Sequence, residues 1–166
     1  DVYKRQLYVW FRSISDDFGD DDTAQIFGFV LLAAVPLTLI VGRWADRRDR
    51  PILPLAIATG IGAAGLLTMG LAHSIMIALL GYVIFSLAAS LFLALHSAQT
   101  LRVLPRPKHR GRDLGFFNLT NTVPSLIMPA LTLAMVPIFG FSGLFLLLAL
   151  LATIASLLLA SIIRRD

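Results

Sequence analysis

PILPLAIATGIGAAGLLTMGLAHSIMIALLGYVIFSLAASLFLALHSAQTL, residues 51–101, holds no Asp, Glu, Lys or Arg. About 20 predominantly apolar residues carry one helix across a bilayer, so this run predicts two crossings. Their break falls at Leu71-Ala72-His73-Ser74, after the glycine-rich stretch ending at Gly70. Working outward, Thr23 to Gly42 is a second uncharged run, long enough for one crossing. Leu114 to Ile163 is a third, interrupted at Gly140-Phe141-Ser142-Gly143, where two glycines and a serine favour a turn. The expectation is an all-α, polytopic transmembrane helix bundle with five complete spans, at about 23–42, 51–72, 75–101, 114–138 and 144–163. These runs lack the period-two alternation of a transmembrane barrel.

Composition agrees. Hydrophobic residues make up 57% and charged residues 14%, against about 25% charged in a soluble domain, and the mean hydropathy is +0.82. The absence of cysteine excludes a disulfide framework and a thiolate metal site. A net charge of +4 would suit nucleic acid, but the basic residues stand beside apolar spans, where they set topology. The expected partner is the lipid bilayer, not nucleic acid.

Arg43, Arg47, Arg48 and Arg50 follow the first run; Arg102, Arg106, Lys108, Arg110 and Arg112 separate the second from the third; Arg164-Arg165 close the chain. The turns around His73 and Gly140 carry no charge, and Asp16, Asp17, Asp20, Asp21 and Asp22 precede the first run. Basic clusters thus occupy alternate helix ends, which predicts those ends and the C-terminus to be cytoplasmic. Residues 1–22 read as a truncated helix stub, Leu7-Tyr8-Val9-Trp10-Phe11, followed by an acidic outer loop. Val2-Tyr3-Lys4-Arg5-Gln6 resembles adaptor-derived translation, so residues 1–6 are expected to be non-native. The alternative for the stub is a short amphipathic interfacial segment.

Gly42-Arg43-Trp44-Ala45-Asp46-Arg47-Arg48-Asp49-Arg50 resembles the signature of the major facilitator superfamily. In words, that signature is Gly, two variable residues, a small residue, Asp, a basic residue, two more and Arg; Gly42, Ala45, Asp46, Arg47 and Arg50 match. Trp44 replaces the usual leucine, Arg48 the aromatic, Asp49 the glycine and Pro51 the trailing basic residue. A glycine lets helices approach closely, Asp46 suits a neighbouring helix N-terminus, and Arg47 and Arg50 suit carboxylates in a gate. The competing reading is Arg-rich punctuation of a short inside loop. Residues 111–124, with Leu114, Gly115, Asn118 and Pro124 in matching positions, resemble the entry to helix eleven in sugar–cation symporters, including sucrose–proton carriers. The resemblance implies half of a major-facilitator fold, with the stub as the end of helix seven and the spans as helices eight to twelve.

Polar side chains are costly in hydrocarbon and normally face a bundle interior or wet cavity. His96, Gln99 and Thr100 share one helix face, as do Asn118, Asn121 and Thr122. The cavity candidates are therefore His96, Asn118, Asn121 and Gln25. Each has a plainer reading: His96 as interfacial, and the asparagines as hydrogen-bonding glue between helices. Thr59, Thr68, Thr153, Ser156 and Ser161 are read as supports whose hydroxyls bond their own helices, which makes 51–72 and 144–163 peripheral. Asp113 is read as the N-cap of helix eleven, and Gly115 belongs to the same entry. Pro36, Pro124, Pro129 and Pro137 suit either kinks or tolerated bends. Ala58/Gly62 and Gly60/Ala64 are small-xxx-small pairs.

No P-loop, metal-ligand motif or nucleophile–base arrangement occurs, and no carboxylate lies within a span. Catalysis, cofactors and ATP-driven transport are not expected. The expected function is secondary active transport of a small solute by alternating access in a cell membrane, of the bacterial inner-membrane type. The chain would supply the C-terminal half and need the missing N-terminal half as partner. The alternatives are a non-transporting accessory or assembly subunit, and a half-size carrier acting as a dimer.

Overall fold

The computed structural model describes residues 2–15, 19–47, 52–103 and 110–163, with side chains described except at 2–6, 20, 100–103, 110–114, 116–118, 120–121 and 124–125. Among the described residues there are helices and turns, and no strand. The helices are α1 (Val2–Ile14), α2 (Asp20–Asp46), α3 (Ile52–Gly70), α4 (Ile75–Val103) and α5 (Arg110–Ile163). Among the described residues, four stretches are long and apolar enough to cross a membrane: Asp21–Asp46, Ile52–Gly70, Ile75–Gln99 and Leu126–Ile163.

The break expected across residues 140–143 narrows to Gly140. Residues 141–143, read as a turn, are helical, and only Gly140 leaves helical geometry within α5, at φ 69 and ψ 179. That region is open essentially to glycine alone. Met128 lines one cavity with Phe141, Leu144, Phe145 and Leu148. A straight helix would separate Met128 from Phe141 by about 20 Å, so α5 is kinked at Gly140, between arms 110–139 and 141–163. The four prolines do not break their helices: α2 continues through Pro36, and α5 through the other three.

Helix ends follow local chemistry. α2 starts at Asp20, so Asp20, Asp21 and Asp22 belong to its first turn rather than to a loop, where carboxylates meet the positive end of the helix dipole. The Gly19 N–H donates to Asp22 Oδ2 at 3.0 Å. At α4, Ser74 acts as the cap: its carbonyl accepts from Ala78 N–H at 3.0 Å and its Oγ from Ile77 N–H at 3.5 Å. Pro54 is the third residue of α3, where the missing N–H has no intrahelical partner to lose.

Lipid is as apolar as leucine, so spans associate through close packing of small residues more than through hydrophobic burial. α3 runs antiparallel to α4: Gly62 faces Ala88, and Gly65 lies against the backbone of Gly81 and Phe85. A Cβ at Gly65 would sit 2.6 Å from Phe85 N and 2.9 Å from Gly81 O. α3 is also antiparallel to the second arm of α5, with Gly60 beside Ser156 and Gly70 beside Leu146. α2 packs on α4, and α1 touches α4. Within this chain the 51–72 helix is therefore sandwiched rather than peripheral. Of its apolar window 44% is buried, against 11% for α2, which displays Phe29, Leu32, Leu39 and Ile40. Trp10 and Phe11 anchor α1 in the main core with Leu66, Met69, Ala78 and Tyr82.

Candidate functional site

The signature ends α2. Ala45, its small residue, is 5% exposed and packs against Leu55 of α3 and Leu95 of α4, with Val41, Phe92 and Leu159 around them. Four helices thus meet at this end, and a side chain larger than alanine would push α2 off α3 and α4. His96 is half-buried at the same end, its ring stacked on Phe92 at 5.5 Å between centroids and 15° between planes. The fold therefore brings the signature and His96 together, although the sequence separates them by a whole helix. Aromatic stacking places His96 in a packed corner of this end.

Asp46 is the last residue of α2 and Arg47 its C-cap, at φ −84 and ψ −6; both are exposed. A carboxylate at a helix C-terminus opposes the dipole by about 0.3–1 kcal/mol, so Asp46 gains from a donor or cation beyond its own helix. Gly42 is half-buried, and no heavy atom lies within 4 Å of where its Cβ would be. The close helix approach expected at this glycine is not made by the described residues. Arg50 lies outside the described residues, as do Arg48 and Asp49.

Asp113, Gly115, Asn118 and Asn121 all lie on the first arm of α5. Because α5 begins at Arg110, Asp113 stands in its first turn and not at its N-cap. Gly115 is exposed, with open space around it. Asn118 and Asn121 are three residues apart and share a face.

Gln25 stands at the opposite end of α2, about 30 Å from Ala45 along the helix axis. It is exposed and borders a pocket of about 390 Å³ with Ser15 and Asp22 on its polar side and Phe29, Met76 and Leu79 on its apolar side. Gln25 and His96 thus belong to different ends and form no single constellation. Of the hydroxyls read as self-bonded, Thr59, Thr68, Thr153 and Ser161 do bond carbonyls of their own helices. Ser156 does not: it donates across to Ala56 O of α3 at 3.0 Å. Ser90 bonds Ser86 O within α4.

One feature escaped the sequence reading. A partly open cavity of about 400 Å³ lies between the helices, lined by Phe27, Tyr82, Phe85, Met128, Phe141 and Phe145 among others. Trp10 stands edge-on to Phe145 at 4.6 Å, and Phe11 to Tyr82 at 5.8 Å. The spacing of Tyr82 with Phe85, and of Phe141 with Phe145, is visible in sequence, but such stripes more often mark ordinary core. Their convergence depends on interhelical register.

A family model described as the Major Facilitator Superfamily matches residues 7–166. No curated protein and no solved structure matches the chain. The match spans all five helices, from Leu7 of α1 through the signature at the end of α2 to both arms of α5. The chain belongs to the major facilitator superfamily.

Proposed function

We propose that this chain supplies helices seven to twelve, the second half, of a secondary carrier that moves a small solute by alternating access. Membership of a superfamily of membrane transporters supports the transport of a small solute. The observation that carries the rest is the signature at the end of α2, with Ala45 seated among α3 and α4 while Asp46 and Arg47 remain exposed. In this reading the two arms of α5 are helices eleven and twelve. Leu126–Ile163, at 38 residues, would run about 57 Å if straight, near twice the hydrocarbon thickness. Folded at Gly140, it gives two crossings and five spans in all.

The basic ends face the cytoplasm in this reading, and the protein sits in a cell membrane of the bacterial inner type. Asp46, Arg47 and Arg50 form half of a cytoplasmic gate, meeting helix five of the first half by pseudo-symmetry. The bare face of α2 supports a partner there, and Gly42 has the room for that partner's close approach. Gln25 at the outer end, and Asn118, Asn121 and His96 toward the inner, border the solute path. The resemblance at 111–124 extends the reading to sugar–cation symport.

Solute counterflow in proteoliposomes tests it. The chain joined to its other half is expected to exchange solute, and the chain alone to exchange none. Asp46→Asn is expected to lower exchange at least tenfold with little change in solute binding, because a gate residue acts on conformational exchange. Flux from the chain alone would favour a half-size carrier that dimerises, and no flux from the joined protein would favour an accessory subunit.

A further inference from the structure

We propose that the partly open cavity between the helices is a binding site for a small, neutral, ring-containing lipophile, separate from the signature end and from the Gln25 pocket. Its volume, about 400 Å³, falls in the range of small-molecule sites, roughly 300–1,000 Å³. Three helices contribute its rings: Phe27 from α2, Tyr82 and Phe85 from α4, Phe141 and Phe145 from α5. Three of these rings are braced by other rings: Tyr82, Phe141 and Phe145. Phe141 and Phe145 stack at 6.4 Å and 27°, and Trp10 braces Phe145 edge-on from behind. Aromatic pairs favour offset or edge-on contacts, so a planar guest extends an arrangement already in place.

The lining also says what is refused. Among the described residues it carries no charged side chain, and its polar side chain there is Tyr82, whose hydroxyl pairs with Ser86 four residues on. A sugar or an ion would shed its hydration and find almost no partners. Met69 and Met128 supply flexible, polarisable walls that adapt to guest shape. A flexible acyl chain gains little from walls of fixed rings, whereas a rigid ring system loses little entropy on entering. The guest would touch both arms of α5, bridging the fold at Gly140.

The test is equilibrium binding of 1-aminoanthracene, a neutral three-ring fluorophore, to the full-length protein in nanodiscs, with empty nanodiscs subtracted. The expected result is saturable binding at one probe per chain, displaced by 2-naphthol and not by sucrose or palmitate. Tryptophan-excited probe emission should fall in W10F, which locates the probe. Met128→Trp, which fills the cavity, should weaken binding at least tenfold, whereas Leu133→Trp on the exposed face should not. If M128W does not elute as a monodisperse protein, Leu148→Phe replaces it with the same expectation. Absence of saturable binding, displacement by palmitate, or undiminished binding to the cavity-filling variant overturns the proposal. None of these outcomes depends on transport.

Discussion

Gly140 is the residue on which the topology of α5 turns. Its φ of 69 with ψ 179 lies where a Cβ clashes with its own backbone, and no other atom comes within 4 Å of that Cβ position. Gly140→Ala should therefore lose stability through backbone strain alone, by about 1–3 kcal/mol. Gly115 is the matched control: it is helical, exposed and unobstructed. Gly115→Ala removes only glycine's excess freedom and should be neutral or stabilising, by about 0.5–1 kcal/mol. Unfolding of both variants in mixed micelles, followed by circular dichroism, measures the difference. Equal stability of the two would argue against the fold at Gly140.

Between elements, glycine serves closeness rather than flexibility. At Gly65 the obstruction to a Cβ is backbone of α4, which cannot rotate away. Gly65→Ala must move the helices apart, at about 1–3 kcal/mol, while Gly28→Ala, with open surroundings, should leave the unfolding midpoint unchanged or raise it, as at Gly115. Ser156 makes the second kind of contact, a hydrogen bond from α5 to Ala56 O of α3. Such bonds between spans average about 0.6 kcal/mol, so Ser156→Ala should show a small loss. Thr153→Ala, whose hydroxyl serves Ala149 O on its own helix, should show less. The small-xxx-small pairs illustrate what was legible at this scale. Ala58 and Gly62 are buried as that pattern suggests, but Ala64 is exposed, and the tightest crossing is Gly65 on Gly81. Composition marks a helix as able to pack closely. Which glycine meets which backbone depends on the rotation of a neighbour the pattern does not contain.

For the whole molecule, orientation is the expectation most open to measurement. The chain has no cysteine, so single introduced thiols report position without background. Ser74→Cys, in the uncharged turn before α4, should react with a membrane-impermeant maleimide in intact cells. Arg47→Cys, at the basic end of α2, should react only after permeabilisation. The reverse pattern would invert the topology and remove the gate from the cytoplasmic side. The same scale explains the bare face of α2. Phe29, Leu32, Leu39 and Ile40 find no counterpart among the described residues, and in a bilayer such a face meets either lipid or another span.

By itself, the sequence determined the class of this protein: an unpaired backbone is intolerable in hydrocarbon, so long uncharged runs must become helices. It also offered residues 42–50 as a signature, because motif spacing is a property of one continuous segment. Only the tertiary structure decided that α3 is sandwiched, that Ser156 reaches across helices, that Asp113 lies within a turn of helix, and that His96 joins the signature end while Gln25 does not. It alone gathered five rings around a cavity. These facts depend on the rotation and register of separate helices, which are set by side-chain interdigitation between segments that local chemistry cannot relate.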